Sequence, residues 1–124
     1  MPSTEVREET LGGSELAHRV VDVLVDRQAA DVVLLDLTSL AAFTDYFVIA
    51  TADNERHMRA LLDALGRELA VGDAVQSREE GQPASGWVLV DLGDVVVHVF
   101  TDERRAYYDL EGLWRRAQEV VRVQ

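Results

Sequence analysis

The chain has 124 residues, 48% of them hydrophobic and none of them cysteine, so it can bury a core but must do so without disulfides. Its formal net charge is -11, all 12 basic residues are arginine, and these are scattered, which argues against DNA or RNA as the main contact and favours a basic protein surface. The longest apolar runs are of strand length, far below a membrane span, and the acidic start "MPSTEVREETLGG" lacks the apolar centre of a signal peptide, so the expected location is the reducing cytoplasm.

In chain order, residues 1–12 read as a flexible tail and residues 13–124 as one domain. A first helix is expected from Ser14, because Leu16, Val20, Val23 and Leu24 recur at helical spacing. "DVVLLDL" (31–37) is a strand whose unbroken apolar run predicts burial on both faces, and "YFVIAT" (46–51) is a second. The connection between them is too short for a parallel crossover, so this pair is expected to be antiparallel. A second helix follows, capped by Asp53 or Asn54, with Met58, Leu61, Leu62, Leu65 and Leu69 as its apolar stripe and Gly72 as its end. "AVQSREE" (74–80) reads as a weak edge strand. "WVLV" and "DVVVHVF" then form a hairpin around Asp91, Leu92 and Gly93, where the glycine can take the left-handed turn position. From Asp102 the pattern predicts helices to the end of the chain, with Leu110, Leu113, Trp114, Ala117 and Val121 on one face. The sum is an α/β (α+β) domain with a mixed five-stranded sheet covered by helices.

Few constellations suggest chemistry. Polar residues gather where the second strand meets the second helix, in "TADNERH". They make either a ligand site or a corner, with Arg56 and His57 forming a hydrogen-bonded junction to nearby loops. Asp91, Asp94 and His98 could form a metal site, but turn acids and a lone strand histidine are more often structural. Gly12-Gly13-Ser14 before a helix could hold an anion, or serve simply as a hinge and cap. The metalloprotease, P-loop, dinucleotide and nucleophile-elbow motifs are absent, and neither a cofactor nor a metal is expected. Trp114 lies on an apolar helix face and is expected in the core. Trp87 opens a strand after a flexible loop, where it either plugs one end of the sheet or anchors a partner.

"DVVLLDLTSLAAFTDYFVIATADNERH", "GWVLVDLGDVVVHVF" and "RRAYYDLEGLW" follow one another in this order. Together they resemble the ribosomal silencing factor family, also called Iojap-related proteins. The resemblance implies a fold related to the nucleotidyltransferases. It also implies a function: binding the large ribosomal subunit through ribosomal protein L-fourteen and blocking its joining to the small subunit, so that translation is repressed when nutrients are scarce. A homodimer in the free state is implied as well, and no established catalysis. The fold kinship raises the alternative of a metal-dependent nucleotidyltransferase-like enzyme. Such a site needs paired carboxylates on one strand face, whereas Asp91 and Asp94 straddle a turn. Gly112 stands where relatives carry a charged helix former, at an expected cost of about 1 kcal/mol in a helix interior.

The partner-binding surface is expected at Trp87, Leu89, Asp91, Leu92 and Asp94. Alternation puts Trp87, Leu89 and Asp91 on one strand face, and the turn is expected to carry Leu92 to its tip. An apolar anchor ringed by acids suits a basic partner.

Overall fold

The structure, a computed structural model, describes residues 12–69 and 77–124. Helix α1 (Gly13–Asp26) leads into strands β1 (Ala30–Asp36) and β2 (Tyr46–Ala52), which pair antiparallel as the short connection requires. Helix α2 (Glu55–Leu69) follows, and the expected stop at Gly72 lies outside the described residues. Strands β3 (Arg78–Gln82), β4 (Trp87–Asp91) and β5 (Val95–Thr101) come next, then short helices α3 (Asp102–Tyr108) and α4 (Leu110–Leu113), and strand β6 (Gln118–Val123). The sheet order is β3-β4-β5-β2-β1-β6. β2 and β5 run parallel, and every other neighbouring pair is antiparallel, so the sheet is mixed.

The sheet has six strands, not five, because the last segment is not helical. α3 stops where Asp109 adopts a left-handed conformation (φ 47°, ψ 54°). The Asp109 carboxylate then accepts from the Gly112 amide at 3.2 Å, and a single turn, α4, forms. Beyond it, "QEVVRV" carries β-branched residues that favour a pleated strand, and its pairing covers the edge that β1 would otherwise leave bare. Val121 therefore packs on the opposite side of the sheet from Trp114, and Leu113 is 75% exposed. Gly112 is not a penalty inside a helix. A β-carbon there would displace the Asp109 carboxylate, so a larger residue would cost the cap.

The two faces of the sheet differ. α1 and α2 lay their apolar stripes on one face, where Val20, Leu24, Met58, Leu61 and Leu65 meet Val32, Val48, Val88 and Val97. The other face carries a smaller buried cluster of Val33, Leu35, Leu37, Phe47, Ile49, Val96 and Phe100. Among the described residues, the β1–β2 connection, α4 and the turn after it pack over it through Leu40, Ala42, Leu110, Trp114 and Ala117, and α3 does so through Tyr108. Strand β4 reports the asymmetry directly. Val88 and Val90 are buried under the helices, and Trp87, Leu89 and Asp91 on the other side are half-buried.

Candidate functional site

The thinly covered face is aromatic. Trp87 stacks on Phe100, with ring centroids 5.0 Å apart and planes 25° apart, and lies 4.5 Å from Tyr108. Its indole Nε1 donates to His98 Nδ1 at 3.2 Å. His98 meets Phe47 edge-on at 4.6 Å, and Phe47 in turn meets Trp114 edge-on at 5.4 Å and Phe43 at 5.7 Å. Tyr107 closes the series against Tyr108. The aromatic rings thus make one continuous chain of contacts from α3, across β4, β5 and β2, to the β1–β2 connection. Phe43 and Tyr107 are each 73% exposed at its two ends. Edge-to-face and offset contacts of this kind hold large apolar surfaces in fixed orientation, which suits recognition of a protein partner.

His98 is the polar element beneath this surface. Accepting from Trp87 at Nδ1 places its own proton on Nε2, which is buried and has no partner among the described residues. Burial pushes its pKa down to about 4, so the ring is neutral at physiological pH. Beside Trp87 an open hollow of about 300 Å³ is lined by Glu80, Gly81, Ser85, Leu89 and Tyr108. Arg78 lies 3.8 Å from Glu80 and 3.6 Å from Asp91, so the acids on this border are only loosely paired.

Of the five expected contact residues, the fold brings Trp87 and Leu89 onto the aromatic face, with Asp91 at its margin. Asp91 Oδ1 accepts from the Gly93 amide at 2.9 Å, so this carboxylate shapes the hairpin turn, in which Gly93 is left-handed (φ 90°). Leu92 turns inward instead of capping the tip. It is buried in the helix-side core, close to Leu62 and Leu65. Asp94 also lies away from Trp87, against Gly13 and Tyr46. Asp91, Asp94 and His98 do not converge, and among the described residues no group of three or more His, Asp or Glu is placed to hold a metal. Tyr107, Tyr108, Phe43 and Leu113 carry much of the exposed apolar area, and sequence reasoning missed them as surface residues. One signal was available, since two adjacent bulky residues such as Tyr107 and Tyr108 cannot both face inward from one helix.

The polar run after β2 is a corner. Asn54 caps α2 by accepting from the His57 amide at 2.8 Å. His57 Nδ1 accepts from the Asp53 amide at 2.9 Å, and its Nε2 reaches the Arg27 carbonyl at the end of α1, also at 2.9 Å. The imidazole is therefore spent on joining two helix ends. Arg56 stays exposed and takes no part in this junction. At the start of α1, a β-carbon on Gly13 would lie 3.1 Å from Tyr46 Cε2 and 3.2 Å from Asp94 Cβ, so the glycine admits close packing.

The family model described as "Ribosomal silencing factor during starvation" matches residues 11–124. The chain belongs to the ribosomal silencing factor family. It is 37% identical over 111 residues to the ribosomal silencing factor RsfS of Halalkalibacterium halodurans, a match covering 89% of this chain and 94% of that relative. It is 32% identical to the mouse protein named mitochondrial assembly of ribosomal large subunit protein 1, of which 43% is covered. A crystal structure of a Chromobacterium violaceum protein superimposes with a TM-score of 0.74 at 32% identity, covering 92% of this chain and 94% of the other. Members of this family regulate translation in association with the ribosome, and the mixed α+β architecture is shared with the solved relative. No described helix is long and apolar enough to cross a membrane.

Proposed function

We propose that this protein binds the large ribosomal subunit through ribosomal protein L-fourteen and, by occupying that surface, blocks joining of the small subunit and lowers translation under nutrient limitation. The observation that carries the reading is the aromatic face around Trp87, which no described helix fully covers. Large exposed apolar patches on a folded domain mark interaction sites. Acids at its margin and a net charge of -11 suit a basic ribosomal protein better than ribosomal RNA. The mouse relative's name supports the large subunit in particular.

On this reading the protein acts by occupancy in the cytoplasm and not by catalysis. Asp91 is engaged in its turn, and Asp94 lies beside the start of α1, so the pair supplies no shared metal face. The free protein is a homodimer, for which exposed Phe43, Tyr107 and Leu113 offer apolar surface.

Sucrose-gradient sedimentation with separated ribosomal subunits tests the reading. The expected result is comigration with the large subunit alone and fewer joined ribosomes when small subunits are added. Comigration with neither subunit, or with the small one, overturns it. Light scattering of the free protein is expected to give twice the 13.8 kDa chain mass.

A further inference from the structure

The two edges of the sheet are built differently. β3 is fully exposed, reads Arg-Glu-Glu-Gly-Gln, and has the charge and glycine that discourage strand addition. β6 carries Val120, Val121 and Val123, and among the described residues no strand pairs with its outer edge. Its register against β1 shifts between Leu34 and Leu35, which makes Val120 the bulged residue and sends Val121 and Val123 to the helix side. There they meet Val21 and Val25 of α1, forming an open apolar groove of about 330 Å³ rimmed by His18, Asp22 and Asp26.

The rim is charged against the helix's own interest. Asp22 and Asp26 are four apart, a repulsive spacing, and Asp26 sits at the helix C-terminus, where negative charge opposes the macrodipole. Neither forms an ion pair among the described residues. The neighbouring arginines point elsewhere: Arg27 pairs with Glu68 at 2.6 Å, and Arg19 donates to the Glu68 carbonyl at 2.9 Å. Local rules broken without local compensation are expected at functional or strained sites.

From this we infer that the α1–β6 groove takes an extended basic segment of a partner protein, added as a strand along β6. Alternate apolar side chains enter the groove between Val21, Val25, Val121 and Val123, and Lys or Arg side chains reach Asp22 and Asp26. A nucleic acid is disfavoured by the same two aspartates, and a second copy of β6, which carries one arginine and a glutamate, lacks the run of basic side chains that Asp22 and Asp26 would take. This surface lies across the sheet from Trp87, so its occupant is separate from whatever meets the aromatic face.

The test is a titration of the 15N-labelled full chain with an octapeptide of alternating Lys and Val, taken to about 1 mM to fill a site of peptide strength. Amide shifts are expected at Asp22, Asp26, Val121, Arg122 and Val123, with the Trp87 indole unmoved. The Asp22→Asn/Asp26→Asn double variant removes charge without removing volume. It should stay folded and bind roughly tenfold more weakly, as two exposed ion pairs would give. A Glu/Val peptide should not bind. Absence of shifts, shifts centred on Trp87, or equal binding of the Glu/Val peptide overturns the inference. Broadening of β6 amides with protein concentration alone assigns the groove to a second copy and overturns it as well.

Discussion

Replacing Trp87 with alanine separates its structural role from the anchor role proposed for it. The indole is half-buried, stacks on Phe100, touches Tyr108 and donates to His98. A fully buried aromatic cut to alanine costs about 3–5 kcal/mol, and partial exposure lowers that figure. The hydrogen bond adds a second term, since His98 would lose the partner of Nδ1 while Nε2 is already orphaned, at a cost of about 1–3 kcal/mol. Some relief follows if water enters the space, so the expected loss is about 2–3 kcal/mol, which urea denaturation measures with an unchanged slope. Ribosome cosedimentation of the folded variant should weaken at least roughly thirtyfold, the signature of a central anchor. Trp87→Phe keeps the stack and drops the donor, so it should lose stability by about 1–2 kcal/mol but retain most binding. A folded Trp87→Ala protein that binds the large subunit like the wild type refutes the anchor argument. A loss above about 5 kcal/mol would return Trp87 to a purely structural role.

His98 makes stability pH-dependent. Its folded pKa of about 4 lies below the ordinary 6.5, so the unfolded state binds the proton first. Stability is full above 6.5 and declines as pH falls toward 4, by about 2 kcal/mol between neutrality and pH 5; a flat denaturation profile over that range would contradict it. Arg105 is a mostly buried clasp, donating to the Asp31 carbonyl at 2.6 Å, Thr51 Oγ1 at 2.9 Å and Glu111 at 3.0 Å. Arg105→Ala should cost about 2–4 kcal/mol in urea, and a loss below about 1 would deny the clasp. Burial pulls the Glu111 carboxyl up, but Arg105 and Arg122 outweigh it and hold it below 4.5, so its contribution is full above that pH and is lost on further acidification. Gly112→Ala should destabilise by about 1 kcal/mol through the Asp109 cap, and in an Asp109→Ala background the sign should reverse, as helix propensity requires.

Local signals carried most of the elements. The unbroken run at Val32–Leu35 announced a strand buried on both faces, the run at Phe47–Ala50 a second buried strand, and the stripe from Met58 to Leu69 announced α2. The C-terminus misled because Leu110, Leu113, Trp114, Ala117 and Val121 satisfy a helical period by coincidence. A left-handed Asp109 and a waiting edge on β1 decide the outcome, and neither is visible in a local window. Alternation, which depends only on backbone geometry, put Trp87 and Leu89 on one strand face, where the structure has them. Leu92 and Asp94 followed from assuming that a hairpin tip faces outward. Here the tip folds under, because Leu92 finds apolar neighbours on α2 while its amide donates to the Val95 carbonyl at 2.8 Å.

The asymmetry of the two faces is itself an argument about function. α1 and α2 contribute long stripes to one face, whereas α3 and α4 end before they can span the other. A longer α3 would cover more of Tyr108 and Trp87, and what ends it is Asp109 in a left-handed conformation that asparagine, aspartate and glycine tolerate best. After α4 the chain forms β6, which widens the sheet instead of covering it. The Arg105–Glu111–Arg122 chain fixes α4 and β6 to the sheet at one side of the aromatic surface, so the exposed rings sit on a braced support. Rigid aromatic area of this kind loses little conformational entropy on binding, which is the condition under which a few rings can carry most of an interface's affinity.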